Sequence, residues 1–314
     1  FKSDPQGVIE KSISFGATDQ YNIGWTRAHK VLLDYVPPEV IHCGCHFESY
    51  HPAADTDPNP NPKTTNAVDI CFQDGRTVRS SLLIGADGAG SAIRRFMTNK
   101  NTKTSNAAAS SYETKYAGQL LWNAIIPSSD ISPIDGTAIH GPGEVKYTLC
   151  GTDGQVILAF DAGEDQTSWY LTLMEDPILH TKTNADDSPA LTQLRTALQD
   201  KTFGGFGRPG SRAQLEQLFA PWPMAVRCLA ATPEDQIFER RLADRPPLMK
   251  WADTTQSGGY SRVVLMGDAA HPMIPSQGQG TMVAWEDAAD LAACVGPVIL
   301  SEEKEEETGG GGGG

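Results

Sequence analysis

Cysteine is scarce in this sequence of 314 residues: there are six, and none forms a C-x-x-C pair. A disulfide scaffold is therefore disfavoured, and we expect free thiols in a reducing compartment. No apolar run approaches the length of a membrane-spanning helix, so we expect no integral membrane segment. No signal-peptide pattern opens the chain. Because residue 1 is Phe, we expect the natural N-terminus to be missing, so a cytoplasmic location is only the default and organellar targeting stays open.

Basic residues are also few compared with acidic ones. Lys and Arg together number 25 against 39 Asp and Glu, which gives a formal net charge of -14. An excess of acid repels phosphate backbones and anionic lipids, so we expect no nucleic-acid partner. Any site for an anionic coenzyme would have to concentrate positive charge locally, and Arg27, Arg94 and Arg95 are the candidates.

The segment 42–46, HCGCH, packs four potential metal ligands together. If it is a strand, the two cysteines lie on one face and the two histidines on the other. A zinc site needs its ligands around one point. The alternation therefore predicts no metal site here.

The clearest pattern in the chain starts with the unbroken apolar run 263–266, which is typical of a strand buried on both faces and stops at Gly267-Asp268. A carboxylate at the carboxyl end of such a strand can accept hydrogen bonds from ligand hydroxyls. Pro275 stiffens the following loop, and Gly278-Gln279-Gly280 lets backbone approach a ligand closely. Thr281 then opens a helix, whose start favours an electron-rich or anionic group.

A second strand, glycine turn and helix start precedes this one in the chain. The apolar run 82–84 stops at Gly85, and Asp87-Gly88 follows at the strand end. Ser91 is placed to cap a helix, with Arg94 one turn further on. The spacing is D-G-x-x-S-x-x-R. Two such strand ends predict one ligand-binding edge.

These two segments together resemble the fingerprints of the class A FAD-dependent monooxygenases, a family of aromatic hydroxylases and epoxidases. Residues 267–288, GDAAH with a later P, G-x-G and EDA, resemble the "GD" fingerprint, and residues 87–94 resemble the "DG" fingerprint, which is associated with FAD and NAD(P)H. The resemblance implies that Asp268 meets the flavin ribityl chain and that the glycine loop faces the isoalloxazine. One departure is Met282, where many members have asparagine. The cofactor-binding residues that the resemblance implies are Arg27 (near the FAD phosphates), Asp87, Gly88, Arg94, Gly267, Asp268, Ala269, Pro275, Gly278, Gln279, Gly280 and Thr281.

The resemblance and the patterning together predict an α/β fold: a partial Rossmann-like FAD-binding domain with an inserted antiparallel-sheet substrate domain. Alternating segments at 116–126, 143–149, 155–160 and 168–174 predict the sheet, and helices are predicted at 191–198 and 212–219. Residues 205–210 fit G-x-G-x-x-G, but without a preceding buried strand, so a loop is predicted. The predicted domains are 1–111 and 245–300 for FAD, 112–244 for substrate, and a disordered acidic and glycine-rich tail at 301–314.

Residues 1–30 contain no counterpart of the G-x-G-x-x-G unit that holds the ADP half of FAD in the family. We therefore expect a fragment that enters after this unit and leaves before the last helices of the family. We also expect that the fragment lacks the strand that lies between the two fingerprint strands in the family, and that it therefore binds FAD weakly or not at all on its own.

The activity that the resemblance implies is insertion of one oxygen atom from O2 into a small organic substrate at the expense of NAD(P)H, without a catalytic side chain or a metal. Asp244-Arg245-Pro246-Pro247 with Trp251 is similar to zeaxanthin epoxidases, whereas residues 116–126 resemble urate and salicylate hydroxylases. Hydroxylation of an aromatic ring and epoxidation of an olefin thus both stay open. Trp122 and Asn123 are only weak candidates for the substrate pocket, because a core aromatic and a polar strand residue explain them better.

Two alternatives remain from the sequence. One is a flavin reductase of the geranylgeranyl reductase kind, which shares the fingerprints but performs no oxygen chemistry. The other is a non-catalytic remnant that persists as an interaction module. The choice between NADH and NADPH, the substrate and the oligomeric state also stay open.

Overall fold

A computed structural model describes residues 8–12, 23–53, 67–101, 115–131, 145–150, 155–174, 189, 192, 208–220, 222–253, 262–275 and 278–309. The chain divides into two compact units. The first unit comprises Phe1–Ile41 and Tyr116–Ala243, and the second comprises His42–Lys115 and Asp244–Gly314. Each unit is therefore built from two separate stretches of chain.

The secondary structure mixes strands and helices. The described strands are β1 (Val8–Ser12), β2 (Phe47–Pro52), β3 (Val68–Phe72), β4 (Thr77–Ser80), β5 (Leu83–Gly85), β6 (Lys115–Pro127), β7 (Val145–Cys150), β8 (Gln155–Gly163), β9 (Gln166–Met174), β10 (Arg208–Pro209), β11 (Phe238–Asp244) and β12 (Val263–Leu265). The described α-helices are α1 (Trp25–Leu33), α2 (Ala92–Asn101), α3 (Arg212–Leu218), α4 (Pro223–Ala231) and α5 (Gly280–Gly309), with short 3-10 turns at Pro38–Val40, Ser128–Asp130, Glu234–Gln236 and Gly267–Ala269. None of these helices is long and apolar enough to cross a membrane.

The first unit is organised by a seven-stranded sheet in the order β1-β7-β8-β9-β6-β11-β10. Its central neighbours β7, β8, β9 and β6 pair antiparallel, as their alternating sequences predict. Alternate side chains of β6 enter the core because successive residues point to opposite faces of a strand. The core residues that these strands share with α3 and α4 include Trp122, Ala124, Trp169, Leu171, Leu215, Phe219 and Leu229.

Two indole groups hold this core together with polar contacts. Trp122 Nε1 donates to Glu239 Oε2 over 3.0 Å, and both side chains are buried. Trp169 Nε1 donates to Thr232 Oγ1 over 2.9 Å. Because a buried polar group without a partner costs roughly 1–3 kcal/mol, these bonds let large indoles enter an apolar core.

One of the two predicted helices is present in the structure, together with a helix that was not predicted. The prediction for 212–219 is confirmed by α3, in which Ser211 caps the helix by accepting from the Gln214 N–H. Helix α4 was not predicted, although Pro223 stands at its start, a position that proline favours. Of the predicted helix 191–198, only residue 192 is described, and it is helical. The Gly205 to Gly207 part of the predicted loop lies outside the described residues.

The second unit combines an antiparallel sheet, β2-β3-β4, with a parallel pair, β12-β5. Leu83 pairs with Val263, and Gly85 pairs with Leu265. The two fingerprint strands are thus direct neighbours in this sheet. Helix α2 packs over this pair, contributing Ile93 and Met97 to its core.

Two further expectations differ from the structure. Strand β1 pairs with β7 through Val8 and Cys150, which joins residues 1–41 to the antiparallel unit and not to a domain spanning 1–111. Strand β2 begins only at Phe47, so residues 42–46 form a turn and not an alternating strand. Among the described residues there is no group of three or more His, Cys, Asp or Glu that could hold a metal ion.

The C-terminal prediction also needs correction. Helix α5 continues through Gly309 despite Pro297 inside it, so residues 301–309 are helical and not a disordered tail. The physical reason is that Glu and Lys are good helix formers and do not need to enter a core to extend an existing helix. Residues 310–314 lie outside the described part of the chain.

We predict that Gly85→Val destabilises the second unit. A Cβ at Gly85 would lie 2.6 Å from Leu265 Cδ2 and 3.1 Å from Ile93 Cγ2, so strand and helix would have to separate, at a cost of about 1–3 kcal/mol. Urea unfolding measures this loss as a lower midpoint. Gly296→Ala is the matched control, because nothing lies within 4 Å of its Cβ position; an equal loss in both variants would contradict the close packing.

Candidate functional site

The two predicted carboxylates follow neighbouring parallel strands. Asp87 stands two residues after Gly85, the end of β5, and Asp268 stands three residues after Leu265, the end of β12. The Met266 N–H donates to the Gly85 carbonyl over 3.0 Å, which extends the pairing towards the turns. Because both strands run the same way, both acids emerge at the same edge of the pair, as predicted.

Both carboxylate oxygens of Asp87 accept hydrogen bonds at the start of helix α2. Its Oδ2 accepts from the backbone N–H groups of Ala92 and Ile93 over 2.7 and 3.2 Å, and its Oδ1 accepts from the Ser91 hydroxyl over 2.5 Å. Ser91 Oγ in turn accepts from the Arg94 N–H over 2.9 Å. Gly88, with φ +74°, provides the turn that brings the acid to the helix start. Asp87 and Ser91 therefore form a double cap.

Arg94 connects the two fingerprints. Only 1% of it is exposed, and its Nη1 donates to the carbonyls of Ala269 and Ala270 over 3.2 and 3.0 Å. Its Nη2 donates to the Pro246 carbonyl over 3.2 Å. A buried guanidinium is tolerated only when such acceptors surround it. The predicted residues Arg94 and Ala269 are thus brought together, with the arginine binding backbone.

Asp268 differs from Asp87 in its hydrogen bonding, although both acids are exposed. It is exposed, and within the described part of the chain its carboxylate has no hydrogen-bond partner. A Cβ built on Gly280 would lie 4.0 Å from Asp268 Oδ1, so the glycine loop passes beside the acid. The carboxylate is therefore available to accept hydrogen bonds from a ligand at this edge.

The turn before Asp268 is held by a residue that the sequence analysis did not single out. Gly267 has φ +55°, and its N–H donates to Asp287 Oδ2 over 2.7 Å. The same oxygen lies 2.7 Å from His271 Nε2, and His271 packs against Trp251 with ring centroids 5.1 Å apart. Asp287, on α5, thus binds both ends of the GDAAH segment, Gly267 and His271, through one carboxylate oxygen. The signal in the sequence was the EDA triplet, but no spacing rule indicated its partner.

The glycine loop leads into α5. Gly278 has φ +65° and donates its N–H to the Pro275 carbonyl over 3.0 Å, which closes a tight turn. The Gln279 carbonyl accepts from the Val283 N–H over 3.0 Å, the first bond of the helix. The helix begins at Gly280, one residue before the predicted Thr281.

A buried polar pair lies behind β12 in the same unit. The Tyr50 hydroxyl donates to Asp253 Oδ2 over 2.6 Å, and both residues are buried. Burial, followed by the bond to Asp253, raises the pKa of Tyr50 far above its usual range, so the phenol stays a donor. The Asp253 N–H donates to the Val263 carbonyl over 3.0 Å. This pair therefore supports the strand that carries Asp268.

The remaining predicted residues lie in the first unit. Arg27 is exposed and forms an ion pair with Glu164 at 3.0 Å; its role near the FAD phosphates stays a prediction. Trp122 is fully buried against Phe219 in the core of the first unit, and its role in a substrate pocket stays a prediction. Asn123 is half-buried, and its Oδ1 has no hydrogen-bond partner among the described residues.

Comparison with known proteins agrees with this geometry. Residues 225–306 match the family described as FAD binding domain. The chain is 30% identical over 228 residues to the aurachin C monooxygenase/isomerase of Stigmatella aurantiaca, covering 72% of this chain and 45% of that protein. It is 28% identical over 227 residues to a chloroplastic zeaxanthin epoxidase of Nicotiana plumbaginifolia, covering 72% of this chain and 26% of the relative. The chain thus spans less than half the length of these relatives.

Solved structures share the fold. Klebsiella pneumoniae HpxO, complexed with FAD and uric acid, superposes with a TM-score of 0.58 at 21% identity, over 85% of this chain and 53% of that one. A salicylate hydroxylase substrate complex superposes with a TM-score of 0.53 at 19% identity, over 81% and 52% of the two chains. The fold is thus the mixed α/β architecture of FAD-dependent hydroxylases, with the antiparallel sheet that was predicted. The chain is thus similar to FAD-binding monooxygenases over the part that it shares with these relatives, and residues 225–306 match the FAD binding domain.

We predict that alanine substitutions of Asp87 and Asp268 affect different properties, namely stability and FAD binding. Asp87→Ala removes the cap of α2 and should lower the free energy of unfolding by about 0.5–2 kcal/mol. Asp268→Ala should leave stability nearly unchanged, but should weaken FAD binding by about 1.5–3 kcal/mol, which is roughly 10- to 100-fold, since a charged hydrogen bond is lost. Urea unfolding and calorimetric titration with FAD measure the two effects. An Asp268→Ala variant that binds FAD as tightly as the parent would refute the assignment.

We also predict that Asp287→Ala costs about 1–3 kcal/mol of stability, because it leaves the buried Gly267 N–H and the His271 imidazole without their shared acceptor. Glu286→Ala is the matched control: Glu286 is exposed on the same helix, and its loss should change stability by less than about 0.5 kcal/mol. Equal unfolding midpoints for the two variants would show that the hydrogen bonds of Asp287 do not contribute to stability.

Proposed function

We propose that the protein is an FAD-dependent monooxygenase that inserts one oxygen atom from O2 into a small aromatic or olefinic substrate at the expense of NAD(P)H. The observation that carries the proposal is Asp268: an exposed carboxylate without a partner among the described residues, at the end of β12 and beside the Gly280 backbone. This arrangement suits a polyhydroxylated chain, whose hydroxyls donate to the acid.

The residues present fit the ribityl and ring half of a flavin. Gly267 and Gly278 both have positive φ, and a Cβ on Gly267 would lie 3.2 Å from the Ala284 Cβ. Side chains at these positions would strain the backbone and crowd the turn, so the cradle requires glycine. The helix start at Gly280 carries no acidic residue in its first turn, which leaves its partial positive charge available to the electron-rich pyrimidine edge.

Each residue in the proposed site has a binding or positioning role. Asp268 accepts hydrogen bonds from ligand hydroxyls, and Asp287 fixes the turn that presents Asp268 by binding Gly267 and His271. Arg94 fixes the same segment from the other side through the Ala269 and Ala270 carbonyls. A bound flavin supplies the redox chemistry, passing two electrons from NAD(P)H to O2 so that one oxygen atom enters the substrate and the other leaves as water.

The proposed substrate class rests on the named relatives and on the polar residues of the first unit. The named relatives include an epoxidase and hydroxylases, so an electron-rich ring or olefin is the proposed acceptor of oxygen. We assign the seven-stranded sheet of the first unit to the substrate, and residues 42–115 with 244–300 to FAD. In the first unit, Asn123 offers an amide oxygen that has no partner among the described residues, and it is the proposed polar contact to substrate.

The test measures three quantities in one reaction. With NADH or NADPH, FAD and a panel of small aromatic and olefinic compounds, we expect equal consumption of reduced nicotinamide and O2 and incorporation of one 18O atom from 18O2 into product. Asp268→Ala should reduce all three together, whereas Glu286→Ala should not.

Other outcomes decide against the proposal. Substrate-dependent oxidation of NADPH without O2 consumption would identify a flavin reductase instead. Failure of any flavin to bind to a longer chain that includes a G-x-G-x-x-G unit would favour a non-catalytic interaction module.

A further inference from the structure

Two cysteines lie one residue apart in the turn that precedes β2, and flavin binding makes no use of them. Cys43 is exposed, and Cys45 is half-buried. Gly44 between them has φ +72°, with open space around its Cβ position. The Cys45 thiol donates to the Cys43 carbonyl oxygen over 3.8 Å. The chain therefore doubles back at Gly44, and the Cys45 side chain folds towards Cys43.

A fixed cation lies beside one of these sulfurs. Arg76 Nη2 donates to Cys45 Sγ over 3.4 Å. Arg76 is held in place by Asp74, whose Oδ2 lies 2.7 Å from Nε and 2.6 Å from Nη2. The bond to Asp74 and, to a smaller extent, the proximity of Cys45 raise the pKa of Arg76. Arg76 Nη2 is thus a positively charged donor held at hydrogen-bond distance from Cys45 Sγ.

The β3–β4 hairpin connects the two features. The Gln73 N–H donates to the His46 carbonyl over 2.9 Å, so the hairpin turn and the cysteine turn are joined by backbone. The Arg76 N–H donates to Asp74 Oδ1 over 3.0 Å, which orders the hairpin turn itself. Arg76 therefore reaches Cys45 from an ordered element and not from a free surface position.

Three further cysteines whose side chains the structure describes, Cys71, Cys228 and Cys294, lack this arrangement. Cys228 is buried, and burial raises its pKa to about 12. Cys71 lies in β3 and accepts from the Thr77 hydroxyl over 3.8 Å. Cys294 is exposed on α5, and no other cysteine lies near it in the sequence. These three residues provide internal references for reactivity.

We propose that Cys43 and Cys45 are a redox-active dithiol, in which Cys45, beside Arg76, reacts with a hydroperoxide and Cys43 closes an intramolecular disulfide. Cys45 sulfur attacks one peroxide oxygen; the O–O bond breaks, an S–O bond forms and one water leaves. Cys43 sulfur then attacks Cys45 sulfur; the S–S bond forms, the S–O bond breaks and a second water leaves. Two thiols are oxidised and one hydrogen peroxide is reduced to two waters.

The test uses the reduced protein and hydrogen peroxide, with quenching by a thiol alkylator, tryptic digestion and mass spectrometry. Residues 31–63 form one tryptic peptide that contains Cys43 and Cys45 and no other cysteine. We expect this peptide to lose two hydrogen atoms and to escape alkylation before Cys294 is oxidised. Cys228 should remain reduced throughout while the protein is folded.

Two variants separate the roles of the residues. In Cys43→Ser, we expect a sulfenic acid at Cys45 that a dimedone probe traps, because the partner that closes the disulfide is gone. Arg76→Gln should slow disulfide formation by about tenfold. Arg79→Gln is the matched control, since Arg79 lies on the same hairpin but pairs with Asp69 at 2.7 Å; it should change the rate by less than about twofold.

The proposal is overturned if Cys294 reacts as fast as Cys45, if Cys45 pairs with Cys71, or if Arg76→Gln leaves the rate unchanged. None of these measurements requires flavin or substrate. The outcome for the dithiol is therefore independent of the outcome for the monooxygenase proposal.

Discussion

The buried guanidinium of Arg94 is the interaction on which the second unit depends. Its three backbone acceptors come from Pro246, Ala269 and Ala270, more than 150 positions away along the chain. Because an unpaired charge at this depth would be far more costly than the whole stability of a domain allows, the two distant segments must meet for either to fold. The same contact that stabilises the unit thus places the Asp268 turn next to helix α2.

Much of this arrangement was predictable from the sequence, because buried strands carry a strong signal. The apolar runs at 82–84 and 263–266 ended at glycine and acid, and both ends meet at one edge. The difference between the two acids was less visible. Asp87 is followed four residues later by Ser91 and then by a helix, so its oxygens reach the helix start. Asp268 is followed by a loop, and it stays open to a ligand.

Other features could not be read from local pattern. The role of Asp287 depends on which turn packs against α5, which is a tertiary fact. Residues 42–46 alternate like a strand, but Gly44 adopts a positive φ and turns the chain. The alternation of β6 favoured a core position for Trp122, but its packing against Phe219 is a tertiary contact that the strand pattern does not specify. Helix α5 passed through Glu-rich sequence that composition alone assigned to a tail.

The parallel pair has a consequence for how the protein is made. Its partners Leu83 and Val263 are separated by 180 positions, whereas every strand of the seven-stranded sheet ends at or before Asp244. During translation, the antiparallel sheet can fold before β12 is synthesised, since segments fold as they emerge from the ribosome. Until then, β5 has no partner for the edge that pairs with β12. An exposed strand edge is a template for wrong pairing. Nascent chains stalled before Val263 should therefore be the species that most needs chaperone protection.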